Sequence, residues 1–285
     1  MLRHLLVIFL VLILTACPGR AMNSAAKSVA EGLNRAILNQ NDVITVRDGL
    51  PSYLLVVDGL IESNPENIDL LMAGAQLYSM YSSSFVTDPA RARRQAARGH
   101  RYGQRLFCME LDKICAAAEP GKPFETFLQK LNDTDDDDVP VLYSVALAWA
   151  SLIQANTGDW NALADLPKVQ AIMERVVKLD EDHDYGNAHL YLGVLATQLP
   201  PDLGGRPDVG RDHFERAIKL SEGRNLIAQV LYARQYARLM FDRELHDRLL
   251  NEVMYLPAEV DGLTLSNTLA KQEAERLLAT ADNYF

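Results

Sequence analysis

The chain has 285 residues, 48% hydrophobic and 23% charged, with 28 Lys and Arg against 38 Asp and Glu for a formal charge of −10. That balance excludes a disordered or collagen-like chain. The acidic total excludes a global electrostatic grip on nucleic acid. Only 16 Gly and 12 Pro interrupt it, and its wealth of Ala, Leu, Arg, Glu and Gln leans to helix.

Residues 1–16 read as an address. Met1-Leu2-Arg3-His4 precedes an apolar run, Leu5 to Leu14, that is too short to span a bilayer. Leu14-Thr15-Ala16-Cys17 then resembles the bacterial lipobox. There the Cys thiol is diacylated, the leader is cut before it and the new N-terminus is acylated, and several acyl chains anchor a protein durably. Cys17 is therefore the expected lipidation site; a plain signal peptide with a chance Cys is the alternative. Pro18, rather than Asp, after the Cys points to the outer rather than the inner membrane. Residues 17–285 are expected to form a single all-helical domain on the periplasmic side of the envelope. No second segment reads as long and apolar enough to cross a membrane.

Helices are expected at about 22–39, 49–63, 68–84, 88–107, 123–131, 139–155, 162–180, 187–198, 207–221, 225–241, 243–255 and 264–280. Pro51, Pro89, Pro123, Pro140, Pro167 and Pro207 sit near helix starts, where a missing N–H costs little. Asn67, Asp88, Asn187 and Asn225 suit N-caps. Four Leu pairs recur at a separation of eleven: Leu60/Leu71, Leu131/Leu142, Leu179/Leu190 and Leu220/Leu231. Each first member closes a helical stretch and each second lies inside the next. Tyr143, Tyr191 and Tyr232 follow three of the second members, and Glu174–Leu179 matches Glu215–Leu220 at a shift of 41. A period near 40 built from two helices and a turn is the mark of stacked helical hairpins, a solenoid. The pieces resemble degenerate tetratricopeptide repeats: Phe214 and Ala217 stand where an aromatic and a small residue belong, whereas Gly210 replaces the expected Ala.

Longer strings carry a more specific resemblance. They are Gly49-Leu50-Pro51-Ser52-Tyr53-Leu54-Leu55, Ser63 with Pro65-Glu66-Asn67, Trp149 with Asp159-Trp160, and Leu199-Pro200-Pro201-Asp202-Leu203-Gly204-Gly205-Arg206-Pro207. His213–Ile218, Gly223–Leu226, Tyr236-Ala237-Arg238, Thr264–Ala270 and Leu277-Leu278 continue it to the end. In this order they resemble the T component of tripartite ATP-independent periplasmic (TRAP) transporters. The resemblance implies an all-helical, tetratricopeptide-like periplasmic lipoprotein that forms homotrimers with a hole through each protomer. It implies association with the solute-binding P component and handling of a hydrophobic or carboxylate ligand, without enzymatic activity. No catalytic residue carries over. A general helical-repeat lipoprotein scaffold for envelope complexes is the alternative.

Chemistry leaves few candidates. There is no P-loop, no nucleophile elbow and no His-Glu-x-x-His helix. An EF-hand beginning at Asp133 would need Gly and Glu where Asp138 and Ser144 stand, so the aspartate run reads as a solvated loop before a helix. No metal or cofactor is expected. Arg91, Arg94, Arg98, Arg101 and Arg105 line one helix face, a candidate surface for a partner or anion unless the protein's own acids neutralise it. Tyr143, Tyr191 and Tyr232 are candidates for lining a ligand passage; repeat packing is the alternative. Cys108 and Cys115 lie too far apart within one straight helix to bond, so a disulfide between them requires the helix to end between them.

Overall fold

The computed structural model describes residues 32–285, so the leader, Cys17 and the first ten residues of the helix expected at 22–39 lie outside the described residues. Among the described residues every helix or strand assignment is helical. Helix α1 (Val43–Ser63) starts earlier than its expected 49, because the Asp42 carboxylate accepts the N–H groups of Ile44 and Thr45. Pro51 therefore lies inside α1 rather than near its start. Asn67 caps α2 (Ile68–Ser84) and Asp88 caps α3 (Pro89–Glu110), each accepting a backbone N–H of the first turn.

Leu111, at φ −127° and ψ 53°, ends α3, and a short α4 (Asp112–Ala117) folds back. The break lets Cys108 and Cys115 come within 5.0 Å between Cα atoms, and the two are joined. After α5 (Phe124–Leu131), the aspartates form a 3-10 turn over Asp136–Asp138, with Asp135 and Asp138 in a reciprocal capping box, at the start of α6 (Val139–Ala155). The helix from 136 to 155 is long and apolar enough to pass for a membrane span by length and composition, contrary to the reading of the sequence. The apolar girth has another cause: α6 packs on α2, α3 and α8, and a helix buried on several sides is apolar on several sides.

The helix expected over 162–180 is two. Asp159 caps α7 (Trp160–Leu163), and α8 (Leu166–Leu179) follows with Pro167 in its first turn. Then come α9 (His183–Ala196), α10 (Pro207–Leu220), α11 (Leu226–Leu231), α12 (Arg243–Tyr255) and α13 (Thr264–Ala279). Helix α11 continues into a π-helical turn, Tyr232–Ala237, which the periodicity did not announce.

Each of the four Leu pairs straddles a junction between helices, and all eight side chains are buried or half-buried. Long-range hydrogen bonds recur at the same period: Tyr143 to Asp184, Arg175 to Thr134 and Leu226 N–H to Asn267 each span 41 residues, and Arg234 to Glu273 spans 39. These bonds tie α6 to α9, the turn after α5 to α8, and α11 with its π turn to α13. The apolar residues form two cores. The larger spans α1 to α9, the smaller α9 to α13; Leu192 of α9 faces the first and Leu190 the second.

The segment before α1 is tied to the loop before α13. Asn39 donates to the Asp261 carboxylate at 2.7 Å and accepts the Gly262 N–H at 2.7 Å. Helices α9 and α10 approach closely where both carry glycine: a Cβ on Gly210 would lie 2.5 Å from Thr197 Cγ2 and 3.1 Å from the Gly193 carbonyl oxygen. This explains why Gly210 departs from the repeat's Ala.

Candidate functional site

The start of α9 holds the longest left-handed run among the described residues. Asp184, Tyr185 and Gly186 take φ of 49°, 60° and 73°, three successive left-handed residues of which two have side chains. Such conformations cost on the order of 1–2 kcal/mol per side-chain-bearing residue and persist only where neighbours hold them. Here the Asp184 carboxylate accepts from the Tyr143 hydroxyl at 2.7 Å and from Asn187 Nδ2 at 2.9 Å. The Tyr185 hydroxyl donates to the Asp261 carbonyl at 3.1 Å. Glycine suits 186, since a Cβ there would lie 3.2 Å from Leu220 Cβ at a φ of 73° that side chains rarely adopt.

Two of the three candidate tyrosines converge on this turn. Tyr143 is buried, and its phenol is raised well above the ordinary value by burial and then by the Asp184 charge. Tyr191 is pushed up to about 12 by burial, with the Asp184 charge second. Yet Tyr191 keeps part of its surface accessible.

Tyr232 lies elsewhere, in the second core. Its hydroxyl donates to Glu215 at 2.9 Å, and its ring stacks on Phe214 with centroids 5.6 Å apart. With Arg211, Tyr236 and Arg248 it borders a cavity of about 260 Å³. The structure therefore brings Tyr143 onto the Asp184 carboxylate, whose charge Tyr191 also feels, and leaves Tyr232 to Glu215.

Polar groups continue along the seam between the cores. Asn225 Nδ2 donates to Asn187 Oδ1 at 2.8 Å, and Asn267 Oδ1 accepts the Leu226 N–H at 2.9 Å. Gln229, one turn beyond Asn225, is 1% exposed, and neither of its side-chain polar atoms has a hydrogen-bond partner. Nearby, His189 Nδ1 lies 2.7 Å from His213 Nδ1, so one ring must donate and the other accept. His189 Nε2 faces Glu181 Oε1 at 3.3 Å, and Arg216 grips the same carboxylate through Nε and Nη2. Arg216 holds Glu181 down to about 2, while burial holds both imidazoles below their usual value. With His213 donating to His189 and His189 donating to Glu181, the neutral pair is satisfied. No group of three or more His, Cys, Asp or Glu suited to a metal ion occurs among the described residues.

On the arginine face, Arg98 pairs with Asp58 at 2.9 Å, in a cluster where Tyr78 and Tyr102 also donate to Asp58. Arg91 donates to the Tyr81 hydroxyl at 2.8 Å. Arg94, Arg101 and Arg105 stay exposed and pair with no carboxylate among the described residues.

Asp184 was visible to the sequence only in hindsight: its distance from Tyr143 equals the 41-residue shift between the best-matched copies. The histidine pair is separated by 24 residues, a spacing that signals nothing.

The model of the TRAP transporter T-component family matches residues 39–285. An uncharacterized protein of Treponema pallidum (strain Nichols) is 26% identical over 276 residues, which cover 88% of this chain and 83% of that protein.

Proposed function

We infer the function from the family to which this chain belongs, the TRAP transporter T components. Membership makes it an accessory component of a TRAP transporter, associated with the cell envelope and with other components of that transporter. The finer reading is our own. The protein is a non-enzymatic lipoprotein anchored through Cys17 on the periplasmic side of the outer membrane. Its helical hairpins stack as degenerate tetratricopeptide-like repeats into a curved body, and it assembles as a homotrimer. Each protomer works with the solute-binding P component and offers a passage to a small ligand with a greasy body and a polar or carboxylate group.

Tyr191 carries this reading, because it is half-buried, feels the charge of the Asp184 carboxylate, and is still accessible. The hydrogen bonds repeated at 38 to 43 residues support the stacking. The clasp of Asn39 on Asp261 and Gly262 supports a curved stack, since it joins the segment before α1 to the loop before α13. A tyrosine wall suits such a ligand, since it offers an apolar ring and one polar tip.

The test is native mass spectrometry of the full chain purified from its own envelope. Wild type is expected to retain an amphipathic small molecule, and Tyr191→Trp, which fills the space, to lose most of it with helicity unchanged. Equal retention by both proteins, or no molecule in either, would count against the passage and favour the scaffold.

A further inference from the structure

The passage reading makes no use of the arginine face of α3. In a chain of formal charge −10, Arg94, Arg101 and Arg105 stand exposed on one side of one helix without a carboxylate among the described residues, and Arg93, about 100° around the helix, is exposed on the flank of that side. The same helix shows what neutralisation looks like here, because Arg98 lies 2.9 Å from Asp58. From Arg94 to Arg105 the stripe runs about 16 Å at 1.5 Å per residue. At a screening length of about 8 Å in physiological salt, a docked partner feels this stripe rather than the net charge of the chain.

The stripe ends beside a corner with a different character. Val86, Pro89, Ala92, Arg93, Gln154 and Asn156 border an open cavity of about 490 Å³. Its lining runs on to Asp159, and the next residue, Trp160, is 83% exposed. Asp159 fixes that tryptophan's backbone by capping α7, accepting the Asn161 N–H at 2.9 Å. An exposed indole costs free energy in water, and an open pocket beside it offers a partner side chain a seat. Trp and Arg around a pocket are the residues that dominate binding where proteins meet. The cations are all Arg and none is Lys, which suits forked recognition of carboxylates.

A bilayer would fit this surface less well. Membrane-surface helices set cations beside a broad apolar face. Between the arginines of this stripe lie Ala97 and Gln104, and Trp160 is a single anchor at one end.

We propose that the Arg94–Arg105 face of α3, with Arg93 on its flank and the Trp160 corner, is the docking surface for an acidic face of a protein partner whose side chain fills the adjacent cavity. On the reading above, on which this identification rests, that partner is the solute-binding component of the same transporter.

The experiment measures binding of the purified solute-binding component to the full chain in detergent by surface plasmon resonance, at low and high salt. Vesicles of phosphatidylethanolamine and phosphatidylglycerol form a parallel arm. Wild-type affinity is expected to fall about tenfold or more as salt rises, mostly through the on-rate. Arg94→Glu with Arg101→Glu should weaken binding about 100-fold, and Arg94→Lys with Arg101→Lys should keep the on-rate within a few-fold of wild type. Trp160→Ala should speed dissociation about tenfold. All variants are checked for wild-type helicity by circular dichroism. Binding of the component that ignores both salt and the charge reversal would overturn this surface and leave the transporter reading standing. Vesicle binding abolished by the reversal, with component binding intact, would assign the face to the membrane instead. No binding of the component to wild type would overturn both readings.

Discussion

Residues 174–195 and 215–236 carry one pattern at a shift of 41 and reach different ends. Glu174 corresponds to Glu215, and Tyr191 to Tyr232. In the later copy the Tyr232 hydroxyl closes on Glu215 at 2.9 Å, and the chain there winds into the π turn. In the earlier copy Glu174 takes an amide hydrogen of Gln170 at 2.7 Å instead. Tyr191 is left beside the charge of Asp184, partly accessible. The entrances differ too. Asp184 corresponds to Asn225, but the carboxylate receives a hydroxyl from α6, whereas the amide donates to Asn187. A matched position can thus keep its residue type, as Glu174/Glu215 and Tyr191/Tyr232 do, without keeping its partner. Which partner it meets is decided by the helix stacked on that copy.

The close approach of α9 and α10 offers the largest test of this difference. Gly210 corresponds to Val169, which is 2% exposed in the first core. Gly210→Val should lose about 1–3 kcal/mol in denaturant unfolding, because the neighbouring Gly193 carbonyl is backbone and cannot step aside. Val169→Ala should lose about 1–2 kcal/mol by the opposite route, a cavity. If Gly210→Val were as stable as wild type, the two copies would be spaced alike after all.

The tyrosines sharpen the comparison at smaller scale. Tyr232→Phe removes a hydrogen bond to a carboxylate that is itself exposed, so a loss of about 1 kcal/mol is expected. Tyr191→Phe removes no bond to its matching glutamate and should cost distinctly less in the same measurement. Equal losses would show that the two hydroxyls are held alike.

Protons should produce the gentlest contrast. Val230 and Ile172 occupy the positions matching His189 and His213, so only the α9–α10 seam carries the imidazole pair. Both imidazoles are held below 6.5 in the fold, so the unfolded chain binds more protons as pH falls. Their contribution is fully present above about pH 6.5 and is lost as pH falls below it. Glu181, held near 2 against an ordinary 4.5, adds a further loss between those values. Melting temperature should therefore drop from pH 7 to 5, and His189→Asn with His213→Asn should flatten that limb. A double variant that keeps the full slope would place the titrating groups elsewhere.

Much of the frame was legible in the chain. The Leu pairs at a separation of eleven located the helix junctions, and Asn67 and Asp88 marked helix starts correctly. Pro51 misled, because Asp42 supplied an earlier cap and one lost hydrogen bond did not stop the helix. The break at Ala164 and Asp165 had no Gly or Pro of its own beyond Pro167 and went unseen. At the site, Tyr143 and Tyr191 were named from their place after a repeated Leu. The Asp184 carboxylate was not, since it is placed by three successive left-handed residues, of which Tyr185 runs against propensity.

The sequence by itself determined the helical class, the period near forty, the acidic total and the basic row on α3. These follow from residue spacing and composition, which need no partner to be read. Only the tertiary structure decided that Arg98 is neutralised while Arg94, Arg101 and Arg105 are free, and that Trp160 stands beside a cavity. It also decided that Gly210 answers a backbone oxygen. Pairing, enclosure and close approach depend on elements tens of residues away, and a linear pattern does not contain those distances.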